Sequence, residues 1–269
     1  MSSRRSYVAA AQVGQAVYVA GGMVGETGRP LATFQRFDAQ ENRWTTLERL
    51  PARVRAAAAT AVGRTIYVIG GSTPEGSGAQ VYAYDVDGAG WREVAPLPEP
   101  RFNHAAVTIG DLVVVLGGFA DGEEHRDVFV YDPRIDRWRR GPRLPRAMHA
   151  FDAVEFDGDL WVIGGRRGEE VLREVWILDP GEGRWRPGPP LPRAMELLGA
   201  AVVGDEIHAV WESVYQVYDA ATGRWRQESS PQVTRHALQL FNVAGTIYAI
   251  GGCTTALRDS PVVERRRVT

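Results

Sequence analysis

The sequence predicts an all-β protein that is built from repeated units of four antiparallel strands. Gly-Gly pairs end apolar runs at five points of the 269-residue chain, and in five copies an aspartate lies six residues before a tryptophan. No segment has a sustained helical period. The runs between the markers are short, roughly alternating and rich in β-branched and aromatic residues, with Gly, Pro and Asp turns between them, which indicates strands.

The diglycine markers follow one another along the chain at regular intervals. They are VYVAGG (Gly21, Gly22), IYVIGG (Gly70, Gly71), VVVLGG (Gly117, Gly118), LWVIGG (Gly164, Gly165) and IYAIGG (Gly251, Gly252). A sixth, degenerate copy is IHAVWE, in which Trp211 and Glu212 replace the glycines. The pairs of aspartate and tryptophan are Asp38 and Trp44, Asp85 and Trp91, Asp132 and Trp138, Asp179 and Trp185, and Asp219 and Trp225.

Each marker has a structural role that follows from its chemistry. Glycines at a strand end permit a positive φ and a close approach of two backbones. The tryptophans bring a large apolar area that can hold an outer strand against the next unit, and the aspartates can accept hydrogen bonds from backbone N–H groups in a turn. Alanine-rich runs such as Ala56 to Ala59 suit an innermost strand, where the sheets converge and space is short.

The diglycines, the Tyr-Asp pairs, the spaced tryptophans and the LPxPRxxHAA form from Leu97 to Ala106 resemble the kelch repeat family. The resemblance covers nearly the whole chain. It implies a single domain over residues 1–269, namely a kelch β-propeller whose radial blades leave a central channel. Six diglycine positions, the degenerate one included, predict six blades.

The last blade is expected to have three strands instead of four. Its first strand is predicted near His236 to Asn242, its second at Thr246 to Gly251 and its third within Pro261 to Val268. No tryptophan follows that could mark a fourth, outer strand.

Composition excludes several classes of function. The formal net charge of −2 argues against a general attraction to nucleic acid or to anionic lipid. All 31 basic residues are arginine, so no lysine amine can form a Schiff base. A single cysteine, Cys253, excludes an internal disulfide framework. Neither a signal peptide nor a run of ~18 apolar residues occurs. We therefore expect a cytoplasmic monomer without a cofactor.

The loops that enter the inner strands are the predicted site, because kelch propellers gather such loops on one face around the channel mouth. LPRAMHA and LPRAMEL share five residues and then differ at His149 and Glu196. Repetition builds the blades, so a departure from it indicates function. The candidate catalytic residues are His149, Glu196 and His236. The candidate ligand-binding residues are Tyr7, Arg55, Arg101, His104, Arg146, Arg193, Trp211, Glu212 and Arg235.

Blade five carries a second departure. Seven residues separate Glu212 from Asp219, whereas fourteen separate the second glycine from the aspartate in blades two, three and four. The shortened loop is expected to expose Trp211 and Glu212 at the edge of the pocket.

Three functions fit these residues. The first is binding of an acidic small molecule or peptide, since guanidinium groups bind carboxylates with two hydrogen bonds. The second is an enzyme (isomerase, epimerase, lyase or cyclase) that acts on an acidic metabolite through His and Glu acid-base chemistry. The third is a metal site formed by His104, His149, His236 and Glu196. We favour the first.

Overall fold

The computed structural model describes residues 5–25, 28–88, 90–254 and 264–268. These residues form six antiparallel blade sheets in chain order, five of them with four strands, and two further two-stranded sheets, so the predicted six-bladed propeller is confirmed. The first strands of neighbouring blades contact one another all the way round, including blade six against blade one. Closure of this ring positions one loop from every blade around the central channel.

The first three blades have regular strands. Blade one consists of β1 (Ala9–Val13), β2 (Ala16–Ala20), β3 (Phe34–Asp38) and β4 (Arg43–Thr46). Blade two consists of β5 (Ala58–Val62), β6 (Thr65–Thr73), β7 (Gly76–Asp85) and β8 (Gly90–Val94). Blade three consists of β9 (Ala105–Ile109), β10 (Leu112–Leu116), the short hairpin β11 (Phe119–Ala120) and β12 (Glu123–Glu124), then β13 (Val128–Asp132) and β14 (Arg137–Arg140).

The last three blades follow the same order. Blade four consists of β15 (Asp152–Phe156), β16 (Asp159–Ile163), the hairpin β17 (Arg166–Arg167) and β18 (Glu170–Val171), then β19 (Val175–Asp179) and β20 (Arg184–Pro187). Blade five consists of β21 (Gly199–Val203), β22 (Glu206–Trp211), β23 (Val214–Asp219) and β24 (Arg224–Gln227). Blade six consists of β25 (His236–Val243), β26 (Thr246–Cys253) and β27 (Glu264–Arg267).

Small side chains allow the six inner strands to converge. Residues of all six, mostly Ala, Val and Thr, line a channel cavity of about 310 Å³. The larger apolar side chains of the second and third strands are buried between the blades, where they form one hydrophobic cluster at each interface. The alanine run at Ala56 to Ala59 leads into β5, as the sequence predicts.

The tryptophans and aspartates have the predicted structural roles. The indole N–H groups of Trp138, Trp185 and Trp225 donate to backbone carbonyls of the preceding blade or its exit loop at 2.8, 3.0 and 2.9 Å. Asp38 and Asp179 each accept hydrogen bonds from two backbone N–H groups in the following turn. The tryptophan therefore attaches the outer strand to the preceding blade. The aspartate stabilises the turn that leads to the outer strand.

In blades one to four, the second glycine of the marker joins its blade to the next one. The N–H groups of Gly71 and Gly118 donate to the carbonyls of Arg101 and Met148 at 2.8 and 3.0 Å. At Gly71 the φ is +99°, and a Cβ there would lie 2.7 Å from Cβ of Ala57. Both the left-handed backbone and the close packing require glycine at this position.

Blade six has three strands in the part of the chain that the structure describes, which confirms the prediction for this blade. Its third strand, β27, lies within the predicted span Pro261 to Val268, of which residues 261–263 lie outside the described residues. The guanidinium of Arg266 lies 4.8 Å from the ring centroid of Tyr215 and 2.9 Å from a carboxylate oxygen of Glu228. The strand is thus held against blade five. Within the described ranges, no helix is long and apolar enough to cross a membrane.

Candidate functional site

A ring of backbone hydrogen bonds surrounds the channel at the point where the inner strands begin. Its members, which we call the central ring, are Tyr7, Ala56, Asn103, Ala150, Leu197 and Ala237. Each has a left-handed backbone with φ between 46° and 57°. In the five steps from Tyr7 to Ala237, the N–H of each ring residue donates to the carbonyl of the ring residue before it at 2.7–2.9 Å. The ring fixes the backbone conformation here and therefore the direction in which the adjacent side chains leave the chain.

The residue immediately before each ring residue defines six equivalent mouth positions, one per blade. They are occupied by Ser6, Arg55, Phe102, His149, Glu196 and His236. Four of the predicted site residues therefore occupy the same structural position in blades two, four, five and six. In five blades this residue pairs with the residue that follows the diglycine, as His149 pairs with Arg166 and His236 with Cys253.

Two predicted ligand-binding arginines do not face the mouth. Arg101 and Arg235 are 0% and 1% exposed. Arg101 donates to the carbonyl of Gly117 at 2.9 Å, and Arg235 donates to the carbonyl of Gly251 at 3.2 Å. Arg5 does the same with Gly21 at 2.8 Å, and burial lowers its pKa to about 10. These arginines brace the diglycine of their own blade, so we leave Arg101 and Arg235 out of the candidate site.

His104 also lies on the inner side of the central ring, although it was predicted to bind ligand. It is 6% exposed and lines a cavity of about 60 Å³ together with the ring residues. Burial, and then the charge of nearby Arg101, lower the pKa of His104 to about 3. The imidazole is therefore neutral near pH 7, and the roles predicted for His104 in ligand or metal binding stay predictions.

Arg146 and Arg193 lie four residues before the ring residues of blades four and five. Arg146 is exposed and forms an ion pair with Glu174 at 2.8 Å. Arg193 is exposed, and its backbone forms hydrogen bonds in both directions with the side-chain amide of Gln216. Neither occupies a mouth position, so neither belongs to the central part of the site.

The side chains of blades three to five form a charged cluster at the mouth. Nδ1 of His149 lies 3.2 Å from a carboxylate oxygen of Glu124, and Arg166 donates to Glu196 at 3.1 and 3.3 Å. Burial lowers the pKa of His149, while Glu124 opposes that shift. His149 and Glu196 are neighbours, as predicted, but each has a different immediate partner.

Glu124 and Arg166 were missed by the sequence analysis. Arg166 directly follows a diglycine, a position that repeat alignment could have identified as part of the mouth. Glu124 belongs to the extra hairpin β11–β12 of blade three, which carries no repeat marker.

The degenerate diglycine of blade five keeps the backbone hydrogen bond to the next blade, although the second glycines of the other blades have a φ of 89–106°. Glu212 has a φ of 51°, and its N–H donates to the carbonyl of Arg235 at 2.7 Å, as the second glycine does elsewhere. Its carboxylate is partly exposed and lies 3.8 Å from Nδ1 of His236. Trp211 is partly buried and packs on the core between blades four and five. Of these two side chains, that of Glu212 lies near a residue at a mouth position, His236.

The phenol of Tyr7 lies near ionisable groups of three other blades. Burial raises the pKa of its phenol, Cys253 and Glu196 raise it further, and Arg55 lowers it. The hydroxyl therefore stays protonated. Groups of blades two, five and six lie close enough to change its pKa. The guanidinium of Arg55 donates to Sδ of Met23 at 3.3 Å, and no carboxylate of the described residues lies within ion-pair distance of it.

The model of the KLHDC2/KLHL20/DRC7 Kelch-repeats domain matches residues 7–210. The chain belongs to this kelch family. The match ends at the end of β22, but blades five and six continue the same architecture, so the kelch fold extends beyond it. Among curated proteins, none matches the chain.

Proposed function

We propose that this kelch propeller binds an acidic small molecule or peptide at its mouth. In this proposal the guanidinium of Arg55 holds the carboxylate of the ligand, and the protonated hydroxyl of Tyr7 donates a further hydrogen bond to it. A single chain is the binding unit, because one chain supplies both residues.

The observation that carries the proposal is that no carboxylate of the described residues lies within ion-pair distance of Arg55. Two other arginines have carboxylate partners: Arg146 forms an ion pair with Glu174, and Arg166 forms one with Glu196. Arg55 is partly buried and has a thioether as its side-chain partner. A partly desolvated guanidinium binds an anion strongly, and its planar fork suits a carboxylate.

Replacing Arg55 by alanine tests the proposal, with Arg53→Ala as the matched control. Arg53 lies on the same loop and carries the same charge, but it is exposed and not at a mouth position. Thermal-shift measurements with a panel of di- and tricarboxylates and of acidic peptides should find a ligand that raises the melting temperature. Ligand at a hundred times its Kd stabilises a protein by ~2.7 kcal/mol.

We expect Arg55→Ala to weaken binding of that ligand at least about tenfold, because a charge-assisted hydrogen bond contributes roughly 1.5–3 kcal/mol. Arg53→Ala should bind like the parent. An equal loss of affinity in the two variants would mean that the net charge of the protein, and not a specific contact of Arg55, determines binding. An unchanged affinity of Arg55→Ala would refute the proposal.

The pair formed by His149 and Glu124 supports a second candidate, an isomerase, epimerase, lyase or cyclase that acts on an acidic metabolite. A carboxylate 3.2 Å from an imidazole nitrogen can fix the tautomer of a general base. Conversion of the bound ligand by the wild type, together with loss of turnover but not of binding in Glu124→Gln, would favour this candidate over binding alone.

A further inference from the structure

We propose that Cys253, His236 and Glu212 form a reactive thiol site, at which small hydroperoxides oxidise Cys253. Sγ of Cys253 lies 3.2 Å from Nε2 of His236. Nδ1 of the same imidazole lies 3.8 Å from a carboxylate oxygen of Glu212. A thiol, a base and a carboxylate near the base thus lie in a row, and a similar order of groups activates nucleophiles in unrelated folds.

All three residues are held by strand ends. His236 begins β25 and lies directly opposite Cys253, the last residue of β26, in the register of the sheet. Glu212 follows β22 in the neighbouring blade, and its N–H bonds to the carbonyl of Arg235, the residue before His236. The backbone pairings therefore fix the positions of these three residues relative to one another.

Glu212 is the unexpected member of this row. The other five blades have glycine at its position, where the backbone is left-handed. A residue with a side chain in this conformation is disfavoured by roughly 1–2 kcal/mol. In the one blade that has a side chain at this position, that side chain lies next to His236.

The chemistry of this row begins with a proton transfer. The thiol of Cys253 gives its proton to Nε2 of His236, and Glu212 stabilises the resulting imidazolium. The thiolate attacks one oxygen of the hydroperoxide, and the O–O bond breaks. The leaving oxygen takes the proton from His236 and departs as water or an alcohol. The sulfur is oxidised to a sulfenic acid, and the peroxide is reduced.

The chain holds a single cysteine, so no second thiol of its own can resolve the sulfenic acid. A small external thiol must return it to the reduced form, through a mixed disulfide that a second such thiol cleaves. Cys253 is 1% exposed, which restricts the reaction to small oxidants. Among the described residues, the ionisable groups near the sulfur include the phenol of Tyr7, and Arg55 and Glu196 lie near that phenol.

The test measures the reactivity of Cys253 in the folded protein with two small probes, iodoacetamide and hydrogen peroxide. Mass spectrometry follows alkylation by the first, and dimedone traps the sulfenic acid formed by the second. Glu212→Gly is the informative variant, because glycine restores the residue of the other five blades and should preserve or raise the melting temperature. Cys253→Ser controls for reactions elsewhere.

We expect the wild type to react about tenfold faster at pH 7 than Glu212→Gly, since the thiolate is the reactive form and the carboxylate favours it. His236→Gln should react as slowly, and it gives the same comparison should Glu212→Gly fail to fold. A small thiol should restore the oxidised wild type. Equal rates in the wild type and both variants, or reaction only in denaturant, would overturn the proposal. None of these results depends on the ligand proposed for Arg55.

Discussion

Replacing Arg101 by alanine is expected to lower the free energy of unfolding by about 3–5 kcal/mol. The guanidinium is fully buried, donates to the carbonyl of Gly117 and lies 4.7 Å from the ring centroid of Phe129. The truncation would leave a buried carbonyl without its donor and would open a cavity between the blades. Urea denaturation measures the loss.

Two further variants separate the bracing role from a general effect of charge. Methionine occupies the equivalent position in blades four and five, as Met148 and Met195, so Arg101→Met should cost less than Arg101→Ala. Arg139 is exposed on β14, and Arg139→Ala should change stability by no more than ~0.5 kcal/mol. An Arg101→Ala protein as stable as Arg139→Ala would show that the buried arginine is not a brace.

The folded protein is expected to lose stability as the pH falls below about 6.5, because two buried histidines resist protonation. Burial lowers the pKa of His104 to about 3 and that of His208 to about 4. The unfolded chain binds these protons near pH 6.5 and the folded chain does not. The free energy of unfolding therefore falls with pH between about 6.5 and 3.

A carboxyl group that lines the channel acts in the opposite sense over a similar range. Burial raises the pKa of Asp152 to about 7, although its oxygens accept hydrogen bonds from the N–H groups of Ala153 and Ala200. The folded state then holds a proton that the unfolded chain releases near pH 3.9, so this contribution to stability decreases as the pH rises towards 7. A histidine variant is needed to separate the two effects.

His104→Leu provides that separation, because leucine occupies the equivalent position in blades five and six, as Leu198 and Leu238. Relative to the wild type, we expect the variant to gain roughly 3 kcal/mol between pH 7 and pH 4, since each unit of pKa difference corresponds to ~1.4 kcal/mol. Urea denaturation at several pH values gives the difference. The same pH dependence in both proteins would show that His104 accepts a proton in the folded state.

The repeats determined how far the fold could be predicted. Each blade carries its own set of markers, so counting the markers located the six blades, their inner strands and the short sixth blade. The mouth residues Arg55, His149, Glu196 and His236 were found for the same reason, since they depart from the repeat at equivalent positions. A repeated scaffold makes each exception visible in the sequence.

The direction of each side chain was not visible in the same way. Arg101 and Phe102 are adjacent, and so are Arg235 and His236, yet in each pair only the second residue occupies a mouth position. Side chains alternate in an extended chain, so one position decides between the channel mouth and the blade interior. The central ring sets this alternation, and its left-handed residues include Tyr7 and Asn103, which no glycine marks. The sequence therefore located the loops but not the orientation of their arginines.

The central claim is that the mouth, and Arg55 in particular, receives the carboxylate of an acidic ligand. A crystal structure of the wild type with the best ligand from the thermal-shift panel tests it most directly. The account predicts a carboxylate within about 3 Å of the Arg55 guanidinium, with the Tyr7 hydroxyl donating to the ligand. A ligand bound at the opposite end of the channel, or at the mouth without contact to Arg55, would contradict it.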